Sequence, residues 1–349
     1  MAYTTIDDPS AHFQVATWTG DGSSPRTITN DGNSNLQPDW VWHKNLSDSG
    51  RSHYSHDSSR GFGAHKEIVP NSTTAENSDS HLTENHGYIA SASTDSFVLG
   101  AGASNQNYTN KSSSSYVAWQ WKANGGTTTS FGESGDNPGG DRQANTTAGF
   151  SIIDYVGTGA AGTIAHGLGK VPEMIIFKDR SADGDDWFVY HQGTGNDGGV
   201  RLNTNAADGN DSNRFNNTSP TTSVFTVGAS GGTNDDGNAT IAYCFAPIQG
   251  YSKFGTYRGN GNADGPFVYL GFKPKFFMLK NISASQYWYM FDTGRDTVNP
   301  SNSAQAIRNT TQETGYAMDF LGNGFKIRHN DSAWNGSGNT FIYMAFAEH

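Results

Sequence analysis

The most informative segment of this sequence is Pro274–Asn281, which reads PKFFMLKN, because the same design occurs three times in the chain. Residues 172–179 read PEMIIFKD, and residues 38–45 read PDWVWHKN. In each copy a proline precedes a run of large apolar residues, a lysine follows the proline by six positions, and Asn or Asp closes the segment. Proline cannot donate to a β-ladder, so it suits the first residue of a strand. This self-similarity predicts an array of repeated units.

Each apolar run predicts a strand that is buried on both faces or nearly so. We expect Trp42, Phe177 and Leu279 to occupy equivalent central positions, each in the core of its own unit. The lysine and the Asn or Asp that follow each run predict that the strand ends at solvent, in a turn.

The composition favours strands and turns over helices. Only 34% of the residues are hydrophobic and 16% are charged, while 43 of the 349 residues are glycine. Asn, Ser and Thr supply the remaining polarity and are typical of turns and exposed strand faces. No long window shows apolar residues at helical spacing. The 8 Trp, 15 Tyr and 20 Phe provide enough bulk for cores and argue against disorder.

The charge and the single cysteine restrict the class of protein. A net charge of −11 argues against a nucleic-acid partner, which requires a positive stripe. Cys244 is alone, so an intrachain disulfide is excluded. No apolar run approaches eighteen residues, and the N-terminus lacks a basic-then-apolar pattern. We therefore expect no transmembrane helix, no membrane insertion and no secretory signal.

The beginnings and ends of the repeats also correspond. Residues 13–22, 150–159 and 254–261 each read as an alternating strand that ends in an aromatic residue, one further residue and Gly-x-Gly. Residues 117–121, 241–245 and 342–346 read as the closing strands VAWQW, IAYCF and IYMAF. These matches divide the chain into unit 1 with a short N-terminal lead (residues 1–124), a Gly-rich linker or exposed loop (125–148), unit 2 (149–252) and unit 3 (253–349).

The predicted fold is all-β, with three tandem antiparallel β-sandwich repeats of the jelly-roll type. Each unit holds about seven short strands separated by polar turns, which is the pattern of such sandwiches. Residues 125–148 contain two Gly-Gly pairs and almost nothing apolar, so we expect them to uncouple unit 1. No such break separates units 2 and 3, which we expect to pack as a rigid pair.

Two motifs resemble catalytic or cofactor sites, and both are better explained by structure. Residues 157–162 (GTGAAG) fit the dinucleotide fingerprint, but a β-like segment follows where a helix is required, and the Gly-x-Gly recurs in the other units. Residues 228–232 (GASGG) fit the serine-hydrolase elbow, but a loop replaces its helix. We interpret the first as a hairpin corner and assign no catalysis to Ser230.

Clusters of possible metal ligands are also weak. The acidic residues of 183–186 and 235–236 could hold calcium, but neither follows the spaced calcium-loop pattern and both lie where turns are needed. His53, His56 and Asp57 could suggest a metal site or a proton relay. They lie on the strand of unit 1 that matches residues 187–190 and 288–291 but lacks their tryptophan, so we expect a wetter, solvated edge.

Cys244 alternates with apolar neighbours and reads as a small core residue. No pair of carboxylates stands out as a glycosidase pair, which requires two acids about 5–10 Å apart. The sequence therefore identifies no catalytic, cofactor-binding or metal-ligating residue, and it leaves the receptor-binding residues and calcium binding open.

The chain resembles a repeat family found in virion structural proteins of marine tailed phages. The resemblance is carried by residues 253–261 (KFGTYRGNG), 264–269 (DGPFVY), 271–274 (GFKP), 343–348 (YMAFAE) and the opening 1–10 (MAYTTIDDPS), and it covers essentially the whole chain. Unit 1 departs from the pattern, because it lacks the counterpart of Trp187 and Trp288. These motifs bear the fold and identify no active site.

The resemblance implies a non-enzymatic virion structural protein of the tail-fibre or appendage type, without cofactors, that contributes to host-surface attachment. Its partners would be other virion proteins and a host-surface glycan or protein receptor. It would be made in the bacterial host cytoplasm and reside in the virion. A homo-oligomer is expected, with a trimer favoured, because the aromatic residues exceed what single polar sandwiches need. Two alternatives stay open: a capsid-surface decoration protein and a host-glycan depolymerase.

Overall fold

The computed structural model describes residues 4–78, 83–308 and 312–348, so residues 1–3 of the predicted lead lie outside the described residues. Unit 1 contains a 3₁₀ helix (Pro9–Ala11), a short helix α1 (Thr83–His86) and the strands β1 (Phe13–Thr19), β2 (Arg26–Thr29), β3 (Trp40–Asn45), β4 (His53–Asp57), β5 (Tyr88–Ser93), β6 (Ser96–Gly100) and β7 (Ser115–Trp121). None of the helices in the described ranges is long and apolar enough to span a membrane.

Strands also fill the rest of the chain. Residues 125–148 contain β8 (Thr129–Phe131) and β9 (Gly139–Asn145). Unit 2 contains β10 (Phe150–Val156), β11 (Gly162–Ala165), β12 (Met174–Asp179), β13 (Phe188–His191), β14 (Gly195–Arg201), β15 (Val224–Val227) and β16 (Ala239–Phe245). Unit 3 contains β17 (Ser252–Arg258), β18 (Phe267–Tyr269), β19 (Pro274–Asn281), β20 (Trp288–Asp292), β21 (Ser301–Ala306), β22 (Glu313–Leu321), β23 (Gly324–Ile327), α2 (Ser332–Asn335) and β24 (Thr340–Ala347).

The predicted all-β class is confirmed. The strands form one main sheet in each unit, with the orders β1-β7-β3-β4, β14-β13-β12-β16-β10-β9-β8 and β17-β24-β19-β20-β21-β22-β23-β18. Two smaller sheets, β2-β6-β5 and β11-β15, pack against the main sheets of units 1 and 2. In unit 3 the end of the main sheet folds over itself, because Phe277 of β19 stacks on Phe325 of β23 with ring centroids 4.3 Å apart.

The three repeated segments occupy equivalent central strands. Trp40 of β3 pairs with Trp121, and Phe276 of β19 pairs with Phe346. Met174 of β12 pairs with Phe245 in the same way. The residues of the three closing strands are therefore equivalent as well, and a position in one unit can be assigned to its counterparts by counting from these pairs.

Both faces of each main sheet are buried, but against different partners. In unit 2, Ile175 and Phe177 of β12 pack in the sandwich core beneath β11 and β15. Their neighbours Met174 and Ile176 point to the opposite face and join a core that contains residues of all three units. A strand buried on both faces needs a continuous apolar run, which explains the segments that first revealed the repeat.

The shared core surrounds an approximate threefold axis. The equivalent residues Trp121, Phe245 and Phe346 form a triangle with ring centroids 6.3, 5.8 and 6.0 Å apart. Trp40 of unit 1 stacks on Tyr243 of unit 2 at 4.2 Å. The three sandwiches therefore form a ring around one apolar centre.

Hydrogen bonds run around this ring in one direction. The indole of Trp187 donates to the Val69 carbonyl of unit 1 at 3.0 Å, and the indole of Trp288 donates to the Arg201 carbonyl of unit 2 at 2.9 Å. His53 occupies the equivalent position in unit 1, and its Nε2 lies 2.9 Å from the Ala306 carbonyl of unit 3. Each unit thus contacts its neighbour head to tail, as in a cyclic trimer.

The structure corrects the expected linker at residues 125–148. β9 pairs with β10 along its whole length and with β8 on its other side, so this stretch extends the main sheet of unit 2. Polar residues on both faces hid these strands, because backbone hydrogen bonds rather than apolar side chains hold them. Residues of unit 1 share a core with units 2 and 3, so unit 1 is not uncoupled from them. Units 2 and 3 do contact each other, for example through Trp288 and the Arg201 carbonyl, but unit 1 belongs to the same assembly.

Three further expectations are wrong for the same reason, namely that a second face of each sheet is buried. The strand His53–Asp57 is fully buried rather than a wet edge. Lys44, Lys178 and Lys280 do not reach solvent, since each is 0% exposed. Trp42, Phe177 and Leu279 are all buried, but Trp42 faces the shared core and is equivalent to Ile176 and Met278.

Candidate functional site

The Gly-x-Gly corners are structural in all three units. In unit 2 the N–H of Gly159, at φ 68°, donates to the carbonyl of the buried Asn234 at 2.9 Å, and the N–H of Thr158 donates to the Asn234 side chain. A Cβ on Gly157 would lie 2.2 Å from the Asp235 carbonyl oxygen. Asn110 and Asn335 make the same contacts with the corners of units 1 and 3. The segment 157–162 is therefore a turn that clamps an asparagine, and no helix N-terminus follows it.

The serine motif also lacks the geometry of an elbow. Ser230 follows β15 in a loop, and its carbonyl accepts a hydrogen bond from Thr233 at 3.3 Å. The next element is β16, so the strained strand-to-helix turn that exposes a nucleophile is not formed.

The fold brings the two acidic clusters of unit 2 together. Asp179, Asp185 and Asp235 each offer a carboxylate oxygen within 4.8 Å of the others. Asp179 accepts hydrogen bonds from the N–H groups of Ser181 and Ala182, and Asp235 accepts one from Gly232. Burial and the two neighbouring carboxylates raise the pKa of Asp185. The hydrogen bonds that Asp179 and Asp235 accept within turns explain why acidic residues occur at these positions.

The three candidate ligands of β4 point in different directions. Trp42 donates to Nδ1 of His53 at 3.0 Å, which leaves Nε2 to donate to Ala306. Asp57 accepts the hydroxyl of Tyr243 at 2.8 Å and pairs with Arg60 at 2.6 Å. Both side chains therefore hold units together.

His56 faces the opposite side of the sheet, where its ring stacks on His43 at 5.7 Å. Neither imidazole has a hydrogen-bond partner on its nitrogens, and burial lowers the pKa of both. The proton relay suggested by the sequence is thus not assembled. Cys244 is buried in the sandwich core of unit 2, as expected for a small core residue.

An open cleft of about 520 Å³ lies between units 3 and 1. Its polar lining is contributed by Thr17, Thr19, Ser47, Ser115, Arg295 and Gln312. The ends of β1 and β3 and the start of β7 position the residues of unit 1, and the turn after β20 positions Arg295. We call this cavity the 3–1 cleft.

At the equivalent junction, between units 1 and 2, a network of charged side chains fills the place of the cleft. Glu76 donates its N–H to the Arg180 carbonyl, just as Gln312 donates to the Leu46 carbonyl beside the 3–1 cleft. The Glu76 carboxylate binds Arg180 and also Arg60, the latter at 2.9 Å, and Arg180 in turn binds Asp154 at 2.5 Å. Burial by itself lowers the pKa of Arg60, but the neighbouring carboxylates raise it, and Asp57 contributes more than Glu76.

The corresponding positions at the 3–1 cleft carry no such chain of charges. Counting from the paired strands, Thr17 replaces Asp154 and Leu46 replaces Arg180. Gln312 replaces Glu76, while Arg295 keeps the place of Arg60 and pairs with Asp292 at 2.7 Å. Loss of the central ion pair leaves this junction open.

The junction between units 2 and 3 keeps the backbone contact of the other two. Asp208 donates its N–H to the Ile282 carbonyl at 3.0 Å, which is the bond that Glu76 and Gln312 make elsewhere. A Cβ on Gly193 would lie 2.4 Å from the Thr256 methyl group, and a Cβ on the equivalent Gly294 at the 3–1 junction would lie 2.8 Å from Val15. Close packing at this glycine is therefore common to both junctions.

The chemistry of the 3–1 cleft suits binding. Among its described lining residues are hydroxyls, an amide and one guanidinium, with neither a carboxylate nor a histidine nor a cysteine. Such a set can donate and accept hydrogen bonds but offers no acid–base pair. Local sequence patterns do not reveal this site, because its residues lie at strand ends and in turns of two units that only the fold brings together.

A family model described as a domain of unknown function (DUF7483) matches residues 8–349. No curated protein and no solved structure matches the chain.

Proposed function

The chain belongs to the DUF7483 family, and we propose that it is a non-enzymatic structural protein of a phage virion, of the tail-fibre or appendage type, that contributes to host-surface attachment. The observation that carries this proposal is the 3–1 cleft. It is an open polar cavity between two of the three sandwiches, and its described lining has the groups of a binding site without those of acid–base catalysis.

The use of the other motifs supports the same function. The Gly-x-Gly corners hold buried asparagines, and His53 and Asp57 hold neighbouring units together. An extracellular particle needs a protein that is stable without disulfides, and a single core shared by three sandwiches provides such stability. The net charge of −11 limits non-specific aggregation.

Labelling of intact virions tests the location. An antibody raised against the purified chain should decorate the tail or its appendages in electron micrographs. Uniform decoration of the head would support the alternative of a capsid-surface protein. Particles that carry no label on either part, although the antibody recognises the purified chain, would refute a virion role.

Incubation with host surface polysaccharide tests the absence of enzymatic activity. We expect the polysaccharide to keep its size distribution after incubation with the purified chain. Shortened products that disappear when one Asp or Glu is replaced would support the depolymerase alternative instead.

The proposal includes a homo-oligomer, with a trimer favoured. Light scattering of the purified chain at micromolar concentration measures its molar mass, and the mass of a monomer would contradict this part of the proposal. The abundance of aromatic residues does not support the homo-oligomer. Trp40, Trp121 and their counterparts are buried within one chain, so the ring itself explains them.

A further inference from the structure

Arg295 and Arg60 occupy equivalent positions but have different sets of partners. Arg60 donates from Nε to Asp57 and from Nη1 to the Glu76 carboxylate and the Lys66 carbonyl. Arg295 donates from Nε to Asp292 and from Nη2 to the Met290 carbonyl at 3.0 Å. Its side chain is only 2% exposed, and its Nη1 has no hydrogen-bond partner, whereas Arg60 uses Nη1 and leaves Nη2 unpaired.

The missing partner of Arg295 is a carboxylate. Glu76 binds its arginine from the position that Gln312 occupies at the 3–1 junction, as the matching backbone hydrogen bonds show. The amide of Gln312 instead donates to Ser303 at 3.1 Å. A buried guanidinium forms its strongest hydrogen bonds with carboxylates, often through two donors at once. Arg295 already pairs with Asp292, so what the 3–1 cleft leaves unfilled is the position of a second carboxylate beside its guanidinium.

We infer that the 3–1 cleft binds an acidic sugar whose carboxylate takes, beside Arg295, the place that the Glu76 carboxylate takes beside Arg60. This inference rests on the proposed attachment function for the choice of a sugar, because host surfaces present glycans. The carboxylate itself follows from the comparison of the two junctions.

The remaining lining fits the hydroxyl groups of a sugar. Thr17, Thr19, Ser47 and Ser115 are exposed and bring side-chain hydroxyls to the cleft, where each can both donate and accept. A volume of about 520 Å³ lies within the range of small-ligand sites. The protein's net charge of −11 repels anions from its surface in general, so a bound carboxylate requires this specific partner.

The test uses the full chain and isothermal titration calorimetry with glucuronic acid and its oligosaccharides. Glucose and acetate serve as probes that carry only the hydroxyls or only the carboxylate. We expect the uronic acid to bind at least about tenfold more tightly than either probe, a difference of about 1.4 kcal/mol.

The decisive variant is Gln312→Glu. It places a carboxylate in the position of Glu76, so it should weaken uronic acid binding at least about tenfold and leave the unfolding temperature unchanged or higher. Gln37→Glu is the matched control, because it adds the same negative charge at a glutamine outside the lining of the cleft, and it should bind the uronic acid like the unmodified chain. These variants spare Arg295, whose contacts with Asp292 also serve folding.

Equal binding of the uronic acid by Gln312→Glu and the unmodified chain would overturn the inference, as would the absence of uronic acid binding. Glucose or acetate that binds as tightly as the uronic acid would overturn the assignment of an acidic sugar. Virion labelling separates the two proposals. Labelled tails without uronic acid binding would leave the proposed function standing and refute the ligand. Uronic acid binding without labelled virions would support the ligand and refute the virion role.

Discussion

Trp40 and Tyr243 lie in different sandwiches and stack face to face, with ring centroids 4.2 Å apart and an angle of 15° between the rings. The same Tyr243 donates its hydroxyl to Asp57 of unit 1 at 2.8 Å. Apolar stacking and a buried hydrogen bond thus join units 1 and 2 at one point. A unit cannot unfold alone without exposing both.

We expect the whole chain to unfold in one cooperative transition. Trp42→Ala and Phe177→Ala each remove a large buried ring, one from the shared core and one from the sandwich core of unit 2. Each should cost about 3–5 kcal/mol of unfolding free energy, and both should shift the same calorimetric transition. Two transitions, of which Trp42→Ala lowers one alone, would show instead that unit 1 unfolds independently.

Glu76→Gln should destabilise the chain strongly. The carboxylate sits between Arg60 and Arg180 and is largely buried, so its loss leaves two cations without their shared partner. Breaking such a buried network costs about 3–5 kcal/mol, which denaturant unfolding can measure. The control is Asp264→Asn, which breaks a pair between Lys326 and an exposed carboxylate and should cost far less. Equal losses in the two variants would contradict the structural weight given to the junction.

Lys280→Met should stabilise the chain at pH 7. Burial lowers the pKa of Lys280 to about 7, and its ammonium group meets only the carbonyls of Gln286 and Thr204. The unfolded chain holds this proton up to its ordinary pKa of 10.5, so the lysine costs stability that grows as the pH falls from about 10.5 to about 7. The variant should gain about 1–4 kcal/mol at pH 7 and progressively less toward pH 10.5.

Denaturant unfolding of Lys280→Met at several pH values measures this gain. Lys170→Met, at an exposed position, is the control and should change little at any pH. A Lys280→Met chain less stable than the original at pH 7 would show that the lysine's carbonyl contacts outweigh its burial.

His43→Leu should stabilise the chain and reduce its sensitivity to acid. Burial lowers the pKa of His43 to about 3, and neither ring nitrogen has a partner. The unfolded histidine binds a proton below its ordinary value of 6.5, so the stability is full above that pH and is lost as the pH falls from 6.5 toward 3. Leucine is the residue found at the equivalent position 279 and removes both unpaired nitrogens.

Thermal unfolding of the two proteins between pH 7 and pH 4 measures this effect. The gain from His43→Leu should be about 1–3 kcal/mol at pH 7, from removal of the unpaired nitrogens, and larger at pH 4. A gain that shrinks on acidification would contradict the assigned direction of the pKa shift.

Strands could be predicted from the sequence where their apolar side chains alternate with polar ones or form a continuous run. The apolar segments, the openings with Gly-x-Gly and the closing strands are all found as strands and corners at the expected positions. β9 was missed, because GGDRQAN carries no apolar face and is held by backbone pairing alone. The shared core was missed as well, since a strand buried on both faces reads the same whether its second partner belongs to its own unit or to another.

The candidate site could not have been predicted from local patterns. Arg295 is recognisable only as the counterpart of Arg60, through the i,i+3 pair that each forms with an aspartate. The similar segments 73–76 (TTAE) and 310–313 (TTQE) would match Glu76 with Glu313. The equivalence of Glu76 and Gln312 depends instead on backbone hydrogen bonds to the residues that follow β12 and β3. The difference between the 3–1 and 1–2 junctions can be recognised only in the folded structure, where the two junctions can be compared.

A ring made from three separate, identical polypeptides repeats every mutation three times, so all its junctions must change together. In this chain the three junctions are encoded separately, and they have diverged, because an ion network joins units 1 and 2 whereas an open cleft lies between units 3 and 1. Two of them can hold the ring closed while the third is free to adapt to a new ligand. Fusion of the repeats into one chain thus separates selection for stability from selection for recognition.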